Sequence, residues 1–546
     1  MKRLACIAIC ALFVLTGCRY FVDEPFIQDP TPTPSPTPTG APSPTPVAPR
    51  EGGTLRLAMR NPLTLNPLLN EDITVDKILR LVFEHIAVLG DDMKPTGNLA
   101  ELDFSTDYSF VTIKIRGEAV WGDGVPVSAD DFLFTVDFIK KAPGTTLYKE
   151  CVANFLECEI LDDKTVRVTF ANAFGGSSYS FLFPLIPRHY YFDETKPGSA
   201  KNMAPLGNGL YSFKEFTPLV SVSLARNTRS YRNYVYIDGI EVKLIHDRQS
   251  TVDAFDYGVI DALEIEITEW SRHQSVKDTN PGEFYSMNYE FIGFNHKRQI
   301  FRNKLFRHAL AQSLDMDELI SSSYLTHAER AYSPINPSSW LYAEDARRFE
   351  YNWIIAGALF ERVKNGESDY VPGINDDEAE LNAPPPVPAL SVLTNYENEN
   401  RVKIAAAIVE TLVFHGFDAF LELAGFDEME AKLASGDYDI FVGGYALTLL
   451  PDLRFAFASS SIGAGNIFNY DSPEFDGLLD ALFSVGNESV FKSAAHEMQR
   501  YFAEELPVIS IAFVKSALLL DTRIRGDIKP SPNDLYANIN EWFILE

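Results

Sequence analysis

Tyr445, Thr448 and Asp452 stand in "YALTLLPD", directly after the short apolar run "YDIFVGG". A phenol, a hydroxyl and a carboxylate spaced this way suit a half-wet cleft that stacks on and hydrogen-bonds a solute. Catalytic signatures are missing: the chain has no P-loop, no G-x-S-x-G elbow and no complete G-x-G-x-x-G. His496-Glu497-Met498-Gln499-Arg500 begins like a zinc-protease helix but lacks the second His needed to grip a metal from one helical face, so it reads as a solvated helix face. "NDDEAELN", from Asn375, lacks the order and the glycine of a calcium loop and reads as acidic surface. Cys151 and Cys158 either close a short-loop disulfide in an oxidising exterior or remain two buried thiols. No metal and no cofactor is expected.

The elements around the first group place it. "ALSVLT" is a short apolar strand. "NRVKIAAAIVETLVFHG" is a helix with Ile404, Ile408, Leu412 and Val413 in one stripe and Gly416 at its C-terminal cap. "FDAFLEL" alternates, with Phe417, Ala419, Leu421 and Leu423 on one side. Strand, helix, strand at this spacing predicts a βαβ unit and a parallel sheet, beyond whose carboxyl ends ligands bind. Upstream, "GGTLRLAMR", "FVTIKIR" and "KTVRVTF" alternate as strands. "VDKILRLVFEHIAVLG" carries Val75, Ile78, Leu79, Val82 and Phe83 at helical spacing up to Gly90, and "KLFRHALAQSLDMDELI" reads as one amphipathic helix.

The chain starts as a secretory leader: Lys2 and Arg3, then Leu4–Leu15, an apolar run far short of the roughly 20 residues a bilayer span needs. No later stretch is long and uncharged enough for a transmembrane helix. Leu15-Thr16-Gly17-Cys18 resembles a lipobox, which implies cleavage before Cys18 and lipid on that residue. Two or more acyl chains anchor a protein stably. From Pro30 to Pro49 proline alternates with Thr, Ser or Ala, a segment that favours polyproline II and reaches roughly 60 Å at ~3.1 Å per residue. The body that follows is too long for one core. The formal charge of −29 becomes more negative once the leader is gone, which argues against nucleic acid as a partner.

Seven segments, in order, resemble one family: "GGTLRLAMRNPLTLNPLLNED", "LVFEHIAVLG", "PTGNLAE", "VWGDGVPVSADDFLFTVDFI", "GNGLYSFKEF", "FIGFNHKRQIFRNKLFRHALAQSLDMDELI" and "GDYDIFVGGY". The family is the extracellular solute-binding proteins of family 5, the oligopeptide-, dipeptide- and nickel-binding components of ABC importers. The resemblance implies an α/β, two-lobed, periplasmic-binding-protein-like fold (class II, type C) with an inserted, mostly β subdomain. After a leader (1–17) and a lipidated linker (18–51), the first lobe is expected to comprise 52–95, 206–293 and 516–546, the insertion 96–205 and the second lobe 294–515. Asn70, Glu71 and Asp72 fall where the family's first lobe offers a ligand-facing loop. Tyr289 and Asn295 flank the expected crossing between lobes and are candidates for the cleft floor. Peptide binders of the family carry an Asp three residues after a Trp to pair with the ligand's amino terminus; here Tyr445 and Thr448 take those places, and Asp452 is the nearest substitute. A hydroxyl lacks the charge for that bond. The segment usually reading "AESW" is "AELDF" at Ala100–Phe104.

The function this implies is a non-enzymatic, monomeric surface lipoprotein. It captures a solute, peptide first, and hands it to ABC permease subunits at the outer face of the cytoplasmic membrane. The alternatives are a ligand-sensing lipoprotein that presents its ligand to a membrane signalling partner, or a binder of nickel chelates or oligosaccharides.

Overall fold

The computed structural model describes residues 48–192, 196–232, 234–266, 269–273, 279–369, 389–484 and 486–545. The leader, Cys18, nearly all of the proline-rich linker and the acidic stretch from Asn375 lie outside the described residues. Pro49–Glu546 form one compact unit.

The body opens with β1 (Thr54–Met59), whose alternation buries Leu55, Leu57 and Met59. Helix α1 (Ile73–Leu79) follows, capped by Asp72. The spacing predicted a longer helix, but α1 stops at Leu79. The carbonyls of Leu81 and Val82 accept from Tyr211 and Gly209 amides at 3.0 and 2.7 Å, so an incoming loop takes groups a longer helix would have used. A Cβ at Gly207 would lie 2.0 Å from the Val82 carbonyl oxygen, so only glycine lets the loop approach that closely. Val82 and Phe83 still enter the core. Arg80, buried between Asp76 (3.0 Å) and Tyr148 (3.5 Å), locks α1 to the segment beyond.

Next come β2 (Ala100–Phe104), β3 (Phe110–Ile115), α2 (Ala129–Lys141), β4 (Phe155–Asp162) and β5 (Thr165–Phe170). The strands form an antiparallel sheet in the order β2-β3-β5-β4. The chain then returns as β6 (Tyr211–Thr217), β7 (Ser221–Arg226) and β8 (Gly239–Leu244), and β8 lies parallel to β1 in the sheet β1-β8-β7-β6.

A seven-stranded sheet makes the rest. Its members are β9 (Ala262–Ile265), β10 (Thr279–Phe294), β11 (Ala328–Arg330), β12 (Leu390–Asn395), β13 (Ala419–Ala424), β14 (Ile440–Ala446) and β15 (Val508–Asp521), ordered β9-β15-β10-β14-β12-β13 with β11 against β15. The expected βαβ unit is present: β12 and β13 pair in parallel through α4 (Glu399–Phe414), with Ile404, Ile408 and Leu412 buried and Gly416 at φ +84° just after the helix. Val413 departs from the expected stripe and is exposed, as is Leu423 on the edge strand β13. The "KLFRHALAQSLDMDELI" segment is two helices: α3 (Lys304–Ser313) ends before Asp315, which caps a second helix, Met316–Tyr324.

β10 and β15 join the two lobes. Their outer halves pair from Thr279↔Asp521 to Tyr285↔Lys515, next to β9; their inner halves pair from Tyr289↔Phe513 to Gly293↔Val508, next to β14. Register slips between Tyr285 and Tyr289, where the ladder is interrupted. The segment expected as the insertion packs on the one expected as the second lobe: the Trp340 indole donates to the Tyr179 hydroxyl at 3.0 Å, and Phe174 sits against Phe483 and Phe491.

Candidate functional site

In the second lobe β12 and β13 run parallel and end together, while β14, parallel to β12, runs on to Ala446 against β10. What lies past their carboxyl ends is the place where open α/β sheets bind ligands. β14 reaches into the predicted loop: Tyr445 is still in the strand, opposite Tyr289 of β10, and the loop proper starts at Leu447. Tyr445 is half-buried against Phe291, Phe455 and Phe468, with centroids at 5.1, 5.4 and 6.2 Å, and burial pushes its phenol pKa up. Thr448 is exposed, yet its hydroxyl donates to the Leu450 carbonyl at 2.6 Å. Asp452 accepts two bonds from the Arg454 guanidinium, at 2.9 and 2.6 Å. The loop therefore satisfies its own polar groups, and Asp452 does not offer the unpaired anion that would replace an amino-group anchor.

Past β12 and β13 the situation differs. Tyr396 and Phe426 are 59% and 53% exposed, and Glu397, next to Tyr396 in the chain, is exposed too. Oε1 of Glu397 accepts from the Phe426 amide at 3.1 Å and Oε2 from Asn395 Nδ2 at 3.2 Å. A Cβ at Gly425 would come within 3.2 Å of the Tyr396 hydroxyl and 3.6 Å of Glu397 Oε1, so these two groups meet beside this glycine. Sequence reasoning missed them. The strand-end rule that selected Tyr445 applies equally to "ALSVLT" and "FDAFLEL", and would have selected these residues too.

Beneath both loops lies a buried ion pair. Arg401, in the first turns of α4, holds Glu290 of β10 through two bonds of 2.7 Å. Glu290 is 5% exposed. Gly444 lets the pair cross β14, since a Cβ there would sit 2.7 Å from both Arg401 Nη2 and Glu290 Oε1.

In the first lobe the carboxyl ends of the parallel pair β1 and β8 open on a cavity of about 130 Å³, whose lining includes Arg60, Thr74, Lys77, His246, Arg248 and Glu264. Lys77 pairs with Glu264, and Arg248 with Glu269. The expected loop borders it through Arg60, 3.8 Å from Asp72. Asn70 is buried and exchanges bonds with the Asp72 backbone (2.8 and 3.1 Å), while Asp72 caps α1 by accepting from the Thr74 amide at 2.7 Å. Only Glu71 of the three is exposed, and the Thr145 hydroxyl donates to it.

Tyr289 and Asn295 are not surface residues of a cleft floor. β10 is a central strand covered on both faces, and these side chains are 0% and 2% exposed. The Tyr289 hydroxyl bonds Ser510 Oγ at 2.6 Å; Asn295 Nδ2 donates to the Gly436 and Tyr438 carbonyls at 3.0 and 2.9 Å. Cys151 and Cys158 are free thiols, each half-buried. Burial pushes their pKa values up to about 12 and about 11. Cys18 lies outside the described residues.

Comparison with known proteins agrees with this architecture. Residues 94–465 match the family model described as bacterial extracellular solute-binding proteins, family 5 Middle. The oligopeptide-binding protein AppA of Bacillus subtilis is 23% identical over 520 residues, covering 91% of this chain and 93% of the relative. Among solved structures, the ABC transporter substrate-binding protein CtaP of Listeria monocytogenes superposes with a TM-score of 0.75 at 21% identity, over 91% of this chain and 100% of the other. B. subtilis AppA in complex with a nonapeptide gives 0.61 at 22%, with coverage of 91% and 100%. These structures share the two-lobed α/β fold described above. The chain belongs to the bacterial extracellular solute-binding proteins of family 5.

Proposed function

We propose that this protein captures a peptide between its two lobes and delivers it to the permease of an ABC importer, with no chemistry of its own. It acts as a monomer held at the outer face of the cytoplasmic membrane by lipid on Cys18. The observation that carries the reading is the connection between the lobes. Two long antiparallel strands with an interrupted register join two bodies, each of which ends its parallel strands in loops that carry polar side chains. That is the arrangement needed for closure around a ligand that binds the closed state better. A peptide is favoured because the AppA relative is named as oligopeptide-binding and its structure holds a nonapeptide. The side chains fit as well, since the strand-end loops offer aromatic faces and carboxylates more than metal ligands. Among the described residues no helix is long and apolar enough to cross a membrane; attachment at Cys18 is the reading of its lipobox-like segment.

Native mass spectrometry of the protein as purified, followed by denaturation and identification of what is released, tests the reading. A peptide passenger, or one-to-one uptake from a peptide pool, is expected. A sugar or chelate passenger with no uptake of peptides would contradict it.

A further inference from the structure

The self-satisfied Tyr445–Asp452 loop leaves open what in the second lobe selects a ligand. Glu397 is the counter-example. Its carboxylate accepts one bond on each oxygen, whereas a carboxylate has about four lone-pair sites. Capping accounts for the Phe426 amide but not for the exposed anion or for the rings beside it. Tyr396 and Phe426 are each more than half exposed, Tyr396 preceding the anion in the chain and Phe426 bonding it through its amide. Amides, its own first and then that of Phe426, hold the carboxyl below its ordinary range, so it is charged at neutral pH. The neighbouring guanidinium of Arg401 does not neutralise it, being held bidentately by buried Glu290. An exposed carboxylate with two exposed aromatic residues as neighbours, Tyr396 in sequence and Phe426 through its amide, suits a delocalised or alkyl-borne cation, which can gain an ion pair and a ring contact.

We infer that Glu397, flanked by Tyr396 and Phe426, is a specificity-determining site that receives a lysine or arginine side chain of the bound peptide. The inference rests on the peptide-receptor reading above. It makes the receptor selective for basic side chains, independently of any anchor for the ligand's amino terminus.

The test uses the full-length mature protein and a random-sequence pentapeptide pool that is N-acetylated and C-amidated, so that side chains carry the only cations. Retained peptides are sequenced by mass spectrometry for the natural protein, Glu397→Gln and Phe426→Ala. The expected result is enrichment of Lys and Arg by about fivefold in peptides held by the natural protein. That enrichment should be lost in Glu397→Gln and reduced in Phe426→Ala. Thermal melts that coincide with the natural protein's show that these surface changes leave the fold intact. Retention of the pool without Lys or Arg enrichment overturns the site and leaves the receptor reading standing. Enrichment that survives Glu397→Gln overturns the assignment to this carboxylate. Retention of nothing by the natural protein overturns the receptor reading and this inference with it.

Discussion

Two corners of the same parallel sheet meet solvent in opposite ways. The loop after β14 turns its polar groups on itself: Thr448 bonds Leu450, Asp452 bonds Arg454 and Tyr445 folds into an aromatic cluster. The corner after β12 and β13 leaves a carboxylate and two rings outward. Both stand on one base, the Glu290–Arg401 pair. A strand end is therefore a place where a site can be built; whether one has been built depends on which side chains are left unspent.

Breaking the base should erase the difference. Glu290→Ala leaves the Arg401 guanidinium buried without its partner, and a loss of about 3–5 kcal/mol is expected, read as a drop in the urea midpoint. A change below ~1 kcal/mol would mean the pair does not support the two corners.

Acid separates the corners from the body beneath them. Burial, the largest cause in each case, lowers His296 to about 3 and His308 to about 4, from an ordinary 6.5. Once unfolded, both titrate near 6.5. Between that value and about 4 the unfolded chain therefore binds protons that the folded chain refuses. Their contribution to stability is whole above pH 6.5 and is lost as pH falls, at about 1.4 kcal/mol per pH unit for each histidine. Urea midpoints at pH 7, 6 and 5 should fall, and His296→Gln should flatten the slope. Glu397, whose carboxyl sits below its ordinary range, stays charged over the upper part of that window.

Converting the closed corner into an open one sharpens the contrast. Thr448→Asp adds an unpaired carboxylate and should raise the affinity of peptides with a free amino terminus by about tenfold, while N-acetylated versions are unaffected. Calorimetry of both forms reads the difference. The smallest effect is expected for Arg454→Ala. This exposed pair should contribute only ~0–1 kcal/mol to stability, yet its loss frees Asp452 and should favour amino-terminal peptides in the direction of Thr448→Asp, more weakly.

Much of this fold was readable from period alone. Alternation in "TLRLAM", "FVTIKI" and "TVRVTF" marked β1, β3 and β5, and the apolar strand before a striped helix marked β12 and α4. Failures came where distant chain supplies the competing bond. α1 ends early because residues from a loop far along the chain bond the Leu81 and Val82 carbonyls, and nothing in "KILRLVFEHI" announces them. The site was legible only in part. Tyr445 was found near a strand end, although the strand includes it, and no local pattern shows that Thr448 and Asp452 are already bonded, nor that Tyr289, in β10, and Asn295, just after it, are buried. Tyr396, Glu397 and Phe426 were within reach of the same rule, had it been carried to each parallel strand.

Hydrogen exchange with and without the peptide pool tests most directly whether strand ends from both lobes form the ligand site. The structure predicts slowed exchange at 395–398, 425–426 and 445–452 in the second lobe and at 70–74 and 246–248 in the first, with the outer strand 155–162 unchanged. Protection confined to one lobe, or centred on 155–162, would contradict it.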